Sequence, residues 1–188
     1  FFLSQSEKKV PIGVNIGKNK DTPEQKALED YRILYESFYD QADYLVINIS
    51  SPNTPGLREL GKGNSLTSLL KGMSDLLNTY RTPLFLKISP DMEDSDLDFI
   101  VEQSQKYELS GIVATNTTIK PHLGAGGVSG ALAKEKARLT RNRVLELTKH
   151  NSEFSVMGVG GIDSVEEVED FFRKGGRLVQ LYTGFIYR

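Results

Sequence analysis

The stretch NISSPNTPGL, Asn48 to Leu57, places two carboxamides and two hydroxyls (Asn48, Ser50, Ser51, Asn53) directly after an apolar run, YLVI, and ahead of two prolines and a glycine. A connection needs turn residues, but not this density of hydrogen-bonding side chains. Singly, each is readily a turn-former bonded to its own backbone, which is the expectation for Ser50. Together they suit a small, flat, amide-rich ligand whose edges both donate and accept. Lys87 lies inside a second apolar run, LFLKIS. An unpaired ammonium is costly to bury, so it either reaches solvent at a strand end or faces a group that is, or becomes, anionic. Glycines cluster in GGVSG (126–130), GVGGID (158–163) and LVQLYTG (178–184). One Gly-Gly is a tight turn. Three such segments in succession suit a phosphate clamp made of backbone N–H groups and a helix N-terminus.

Composition removes other chemistries. The chain has no cysteine, which excludes a disulfide framework, a Cys-based zinc site and a Cys nucleophile. Two histidines, His122 and His150, make a His-rich metal site or a Ser-His-Asp triad a poor fit, and no metal site is expected. A net charge of −2 does not invite nucleic acid or an anionic membrane surface. No apolar run approaches the roughly 20 residues of a spanning helix, and the cysteine count suits a reducing compartment. GAGGVSG fails the dinucleotide spacing, because the sixth position from Gly124 is Ser129. IGKNKD is no P-loop, since Asn19 stands where Ser or Thr is needed.

Six apolar runs must position these residues: 11–16, 44–50, 84–89, 111–115, 154–160 and 178–183. Several are apolar on both faces, as strands of a buried parallel sheet are. Helical spacing recurs between them. It covers 24–39 with Thr22 as N-cap and Pro23 in the first turn, 66–80, and Leu97 to Tyr107. A last helix opens at Ser164 with Glu167 three residues on and presents Val165, Val168 and Phe172. Strand starts fall roughly 25 to 45 residues apart, as βαβ units require. Two architectures compete, an open doubly wound sheet and a (β/α)8 barrel. FFLSQSEKKV reads as the tail of a helix, and a full barrel needs about 250 residues. The chain is therefore expected to hold the last six of eight βα units. The polar and glycine residues then gather at the C-terminal strand ends, the face where barrel enzymes place their sites.

Taken in order, NIGKNKDT, NISSPNTPGLR, LKISPD, ATNTT, GGVSG, GVGGIDS and LVQLYTGF resemble the dihydroorotate dehydrogenases of class 2, the quinone-linked type, from about Pro11 to Arg188. The resemblance implies a (β/α)8 TIM barrel carrying FMN. It implies oxidation of dihydroorotate to orotate in pyrimidine biosynthesis, with a quinone as the final oxidant. By motif, Ser51 is implied as the base that takes the C5 proton while hydride leaves C6 for the flavin N5. Orotate is implied to be held by Asn48, Asn53, Asn116 and Thr117. FMN contacts are implied at Asn15, Asn48, Lys87 and Thr115, and its phosphate at Gly130, Gly161, Tyr182 and Thr183. Class 1 members carry Cys where Ser51 stands.

Relative to that family, the first two barrel strands and the N-terminal helical segment that docks to the membrane and forms the quinone tunnel are expected to lie outside this chain. Peripheral attachment to a bacterial or mitochondrial inner membrane is implied by the class alone. TIKPHLGAGGVSG is shorter than the family's usual lid. Six units alone are expected to be inactive and prone to aggregate at their open edges. Two rival readings are a non-catalytic phosphate-binding barrel and another FMN barrel acting on a dihydropyrimidine or on tRNA. The first predicts damage at Ser51, Asn53, Lys87 or Asn116. The second more naturally uses a Cys acid.

Overall fold

The computed structural model describes residues 10–54 and 56–187. Residues 1–9, with the expected helix tail, lie outside the described residues, as do Pro55 and Arg188. Strands β1 (Gly13–Gly17), β2 (Tyr44–Asn48), β3 (Leu84–Ile88), β4 (Gly111–Ala114), β5 (Ser155–Val159) and β6 (Leu178–Gln180) alternate with helices. These are α1 (Ala27–Phe38), α2 (Gly63–Tyr80), α3 (Asp94–Lys106), α4 (Ala131–Thr148), α5 (Val165–Arg173) and α6 (Thr183–Ile186). The sheet is parallel throughout and its spatial order is β1-β2-β3-β4-β5-β6. A doubly wound sheet reverses direction at a switch point. This one never does, so the strands curl as part of a barrel.

The two sheet faces bury different things. Leu45, Ile47, Leu84, Leu86, Ile88, Ile112 and Val156 point outward into the main core, against Tyr31 and Tyr35 of α1, Leu66 to Met73 of α2, and Ile100 of α3. The inner face holds a small apolar plug of Val46, Phe85, Val113 and Met157, with Tyr44 and Val159 packed on it. Register carries the alternation upward. Asn48 stands beside Lys87, and Lys87 beside Val113, one residue pair above the plug's Val46 and Phe85. The polar rim is thus the next inward-facing layer of the same strands.

Three helix details differ from the sequence reading. Thr22 does not cap α1; the chain enters through a 3-10 turn, Glu24–Lys26, and the carbonyl of Thr22 accepts Lys18 Nζ at 2.6 Å. Helix α4 carries a buried face of Ala133, Ala137, Arg141, Val144, Leu145 and Thr148, too polar for hydrophobic spacing to mark. In α5, Ser164 caps as expected, its Oγ accepting from Glu167 N at 3.4 Å. However, Phe171 is the buried residue, while Val165 and Phe172 are 68% and 45% exposed. Phe171 fits because Gly158 and Gly176 leave its ring the space a Cβ would fill.

Candidate active site

Asn48 ends β2, and its backbone carbonyl is pinned by the Tyr31 hydroxyl of α1 at 2.8 Å. Its Oδ1 accepts from Ser50 N (3.2 Å), Ser50 Oγ (3.3 Å) and Asn116 Nδ2 (3.2 Å). Asn116 Nδ2 also reaches Ser50 Oγ at 3.1 Å, and the single Ser50 hydroxyl proton is directed mainly at the Lys87 carbonyl, at 2.8 Å, and shared with the longer contact to Asn48 Oδ1. Ser50 is therefore a buried strut joining three strand ends: structural, as expected, but bonded to the Lys87 carbonyl and two amides rather than to its own backbone as a turn-former. Ser51 is different. It is half-buried, and among the described residues its Oγ is engaged only by Asn53 N, at 3.3 Å. That hydroxyl keeps its own proton and a lone pair for other work.

The remaining amide positions spread along the same rim. Asn116 is set by its N–H on Ile88 O (2.8 Å), and its Oδ1 takes the Thr117 N–H at 2.8 Å. Thr115 is buried, with N–H on Val159 O and Oγ1 on Asn116 O. Asn53 is exposed in the loop after β2, with Gly126 beside its Oδ1. Asn15 is not brought into the cluster. It pairs in register with Val46 rather than Asn48, one inner layer lower, and is exposed. Lys87 is partly buried, and among the described residues its ammonium has no hydrogen-bond or ion-pair partner. Burial pushes its pKa down. An anion beside it would reverse that shift.

Beside Lys87 opens a cleft of about 580 Å³, lined by Thr115, Asn116, Gly130, Gly161 and Thr183 among others. Its walls are close-built backbone. Gly161 has φ +68°, and a Cβ there would lie 2.4 Å from Lys134 Cα in the first turn of α4. Gly130 also has φ +68°, with a Cβ position 2.8 Å from Thr183 Cγ2. The N–H groups of Gly130, Gly160 and Gly161 donate to no described backbone carbonyl. Ser129 and Thr183 hydroxyls tie the two flanking loops at 2.7 Å. Tyr182, 76% exposed, leads into α6. Free N–H groups, glycine clearance and the N-terminus of the long helix α4 form a chemically suitable cradle for a phosphate. With Lys87, they fit a phosphorylated, anion-forming cofactor.

Three residues outside the expected set hold this rim. Arg141, 2% exposed, donates to Val159 O (3.3 Å) and Gly160 O (2.6 Å), turning those carbonyls toward α4. Its other arm meets Glu167 at 3.6 Å. Arg58 and Asp91 form an ion pair of 3.1 Å between the loops after β2 and β3. Nothing in the sequence pairs them, because the partners lie 33 residues apart. A buried arginine in a charged helix carries no periodic mark either.

The family model described as Dihydroorotate dehydrogenase matches residues 2–188. Among curated relatives, the dihydroorotate dehydrogenase (quinone) of Idiomarina loihiensis is 44% identical over 201 residues, covering 99% of this chain and 59% of that protein. The Nitratiruptor protein of the same name is 45% identical over 182 residues, covering 94% of this chain and 50% of its own length. In structure, the Eimeria tenella dihydroorotate dehydrogenase, solved in complex with ferulenol, aligns with a TM-score of 0.87. It is 32% identical across 98% of this chain and 56% of that one. The chain spans between half and three-fifths of the length of these relatives.

Proposed function

The chain belongs to the dihydroorotate dehydrogenase family, and on that premise we propose that the complete protein oxidises (S)-dihydroorotate to orotate with FMN and passes the electrons to a quinone. The chain itself is read as strands three to eight of the family's barrel. The observation that carries the reading is the pairing of Asn48 and Asn116 amides beside Ser51, one strand from a Lys87 that has no partner among the described residues.

Each residue has a part in this reading. The substrate is a ring of amides with a carboxylate. Asn48 keeps its Nδ2 free of described partners and Asn116 keeps a lone pair on Oδ1, so both can read such an edge. Asn53 and Thr117 close over it from the neighbouring loops. Ser51 Oγ takes the C5 proton. Its alkoxide is too costly at neutral pH, so the proton passes onward to water or an adjacent hydroxyl as it arrives. FMN, when bound, supplies the acceptor for the hydride from C6. With FMN bound, Lys87 would offset negative charge developing on its ring system, Thr115 and Asn15 would be its further contacts, and the Gly130, Gly161, Tyr182 and Thr183 backbone would hold its phosphate. The relatives' printed names support a quinone as oxidant, and Ser51 in place of a cysteine agrees with that class.

The test is anaerobic mixing of the complete, flavin-loaded protein with dihydroorotate, following visible absorbance. Rapid bleaching is expected. A chromophore that stays oxidised at saturating dihydroorotate, or that proves on release not to be FMN, overturns the assignment.

A further inference from the structure

Arg58 belongs to none of the roles above, yet it touches the site twice. Nε donates to Ser50 O at 3.3 Å and Nη2 to Thr117 O at 3.4 Å, while Nη1 meets Asp91 Oδ2 at 3.1 Å. Those two carbonyls belong to the residues that hold the amides: Ser50 on Asn48 Oδ1, and Thr117 on Asn116 Oδ1. Because Asn48 and Asn116 are bonded to each other, the contacts close a ring: Arg58, Ser50, Asn48, Asn116, Thr117 and back. Asp91 then fastens the ring to what lies over it. Its carboxylate accepts from Thr118 Oγ1 (2.6 Å), Ile119 N (3.0 Å) and Lys136 Nζ of α4 (2.7 Å). Thr118 and Val128 are bridged to each other through both backbone pairs. Asp91 thereby anchors the base of the 119–127 loop, whose Gly126 and Gly127 lie against Asn53, Thr117 and Pro52.

We propose that Arg58 and Asp91 are positioning residues for the substrate: their ion pair locks the loops after β2, β3 and β4 together and so fixes the distance between the Asn48 and Asn116 amides. This rests on the reading of those amides as the substrate-binding edge. Both side chains are largely buried, 25% and 15% exposed, so solvent does not dissolve the pair as it would a surface one. Charge alone is not the function. Three acceptors at different angles need the planar fork of a guanidinium, and a lysine ammonium cannot serve them together.

The experiment uses the complete flavoprotein and titrates orotate onto the oxidised form, following the perturbed flavin spectrum. It compares wild type with Arg58→Lys, Asp91→Asn and their double variant. Arg143→Met, which breaks the exposed Arg143–Asp98 pair at 2.7 Å, controls for loss of an ion pair as such. The expected result is orotate affinity about tenfold weaker in each single variant, from the loss of one charge-assisted link. Flavin content and the unliganded spectrum stay at the wild-type level. Dihydroorotate KM rises more than kcat falls, and the double variant is no worse than the weaker single. Wild-type orotate affinity in Arg58→Lys, strictly additive losses, or loss of flavin in parallel with orotate each overturns the proposal. Failure of wild type itself to bind orotate refutes the functional reading beneath it instead.

Discussion

Gly161→Ala probes the phosphate cradle at its tightest point. Two costs follow from the geometry. An alanine at φ +68° occupies left-handed backbone, worth about 1–2 kcal/mol. Its Cβ would also sit 2.4 Å from Lys134 Cα, a backbone atom that cannot swing aside. Relieving that overlap shifts either the turn after β5 or the first turn of α4, adding about 1–3 kcal/mol by analogy with overpacked cores. The sum is about 2–5 kcal/mol. Gly56 supplies the control: its φ is +69° with nothing within 4 Å of its Cβ position, so Gly56→Ala carries the strain alone, about 1–2 kcal/mol. Urea unfolding of the two variants of the complete protein, without flavin, measures the difference. The shift from added FMN then shows whether the displaced turn still binds phosphate, and for Gly161→Ala that shift should shrink markedly. Equal midpoints for the two alanine variants, or full FMN stabilisation of Gly161→Ala, would refute the close-approach argument.

Other outcomes follow from the same geometry. Lys87→Met should stabilise the flavin-free protein, because a desolvated ammonium without a partner among the described residues is removed, yet weaken FMN binding by about ten- to a hundredfold; a variant that loses both properties contradicts this. Arg141→Met should cost about 1–3 kcal/mol by stranding the Gly160 carbonyl, Glu167 keeping Lys134 as a partner; this is read as a lower urea midpoint, and a neutral result would show that Arg141 holds nothing. Burial pushes Asp91 up, but its hydrogen bonds from Lys136, Thr118 and the Ile119 N–H, with the charge of Lys136, outweigh that and hold it below the usual carboxylate range. Its stabilising contribution is therefore complete above the ordinary value of about 3.9 and is lost as pH falls from there through the lower native value. The stability gap between wild type and Asp91→Asn should narrow only in that acid window; a gap constant from neutral pH into acid would contradict it.

The strands were legible because a strand buried on both faces is a short apolar run, and all six runs found in the sequence contain the observed strands to within a residue. The polar rim was legible for a related reason: an Asn or Lys ending such a run has no structural need to be there. Helix α4 was not, since its buried face is built from two alanines, an arginine and a threonine beside only Val144 and Leu145. The swap of Phe171 for Phe172 depended on space left by glycines 158 and 176, which no helical period records. Asn15, implied by the resemblance as an FMN contact, stands one layer below the Asn48 rim by register, which its motif does not record. The Arg58–Asp91 lock joins loops remote in sequence, so only the fold brings it together.

The most direct test concerns Ser51, whose hydroxyl is engaged among the described residues only by the Asn53 N–H. Single-turnover flavin bleaching by dihydroorotate should be slower by about 10²–10⁴-fold in Ser51→Ala, with orotate affinity and flavin spectrum retained. Bleaching at the wild-type rate in that variant would place the base elsewhere and reduce Ser51 to a turn residue.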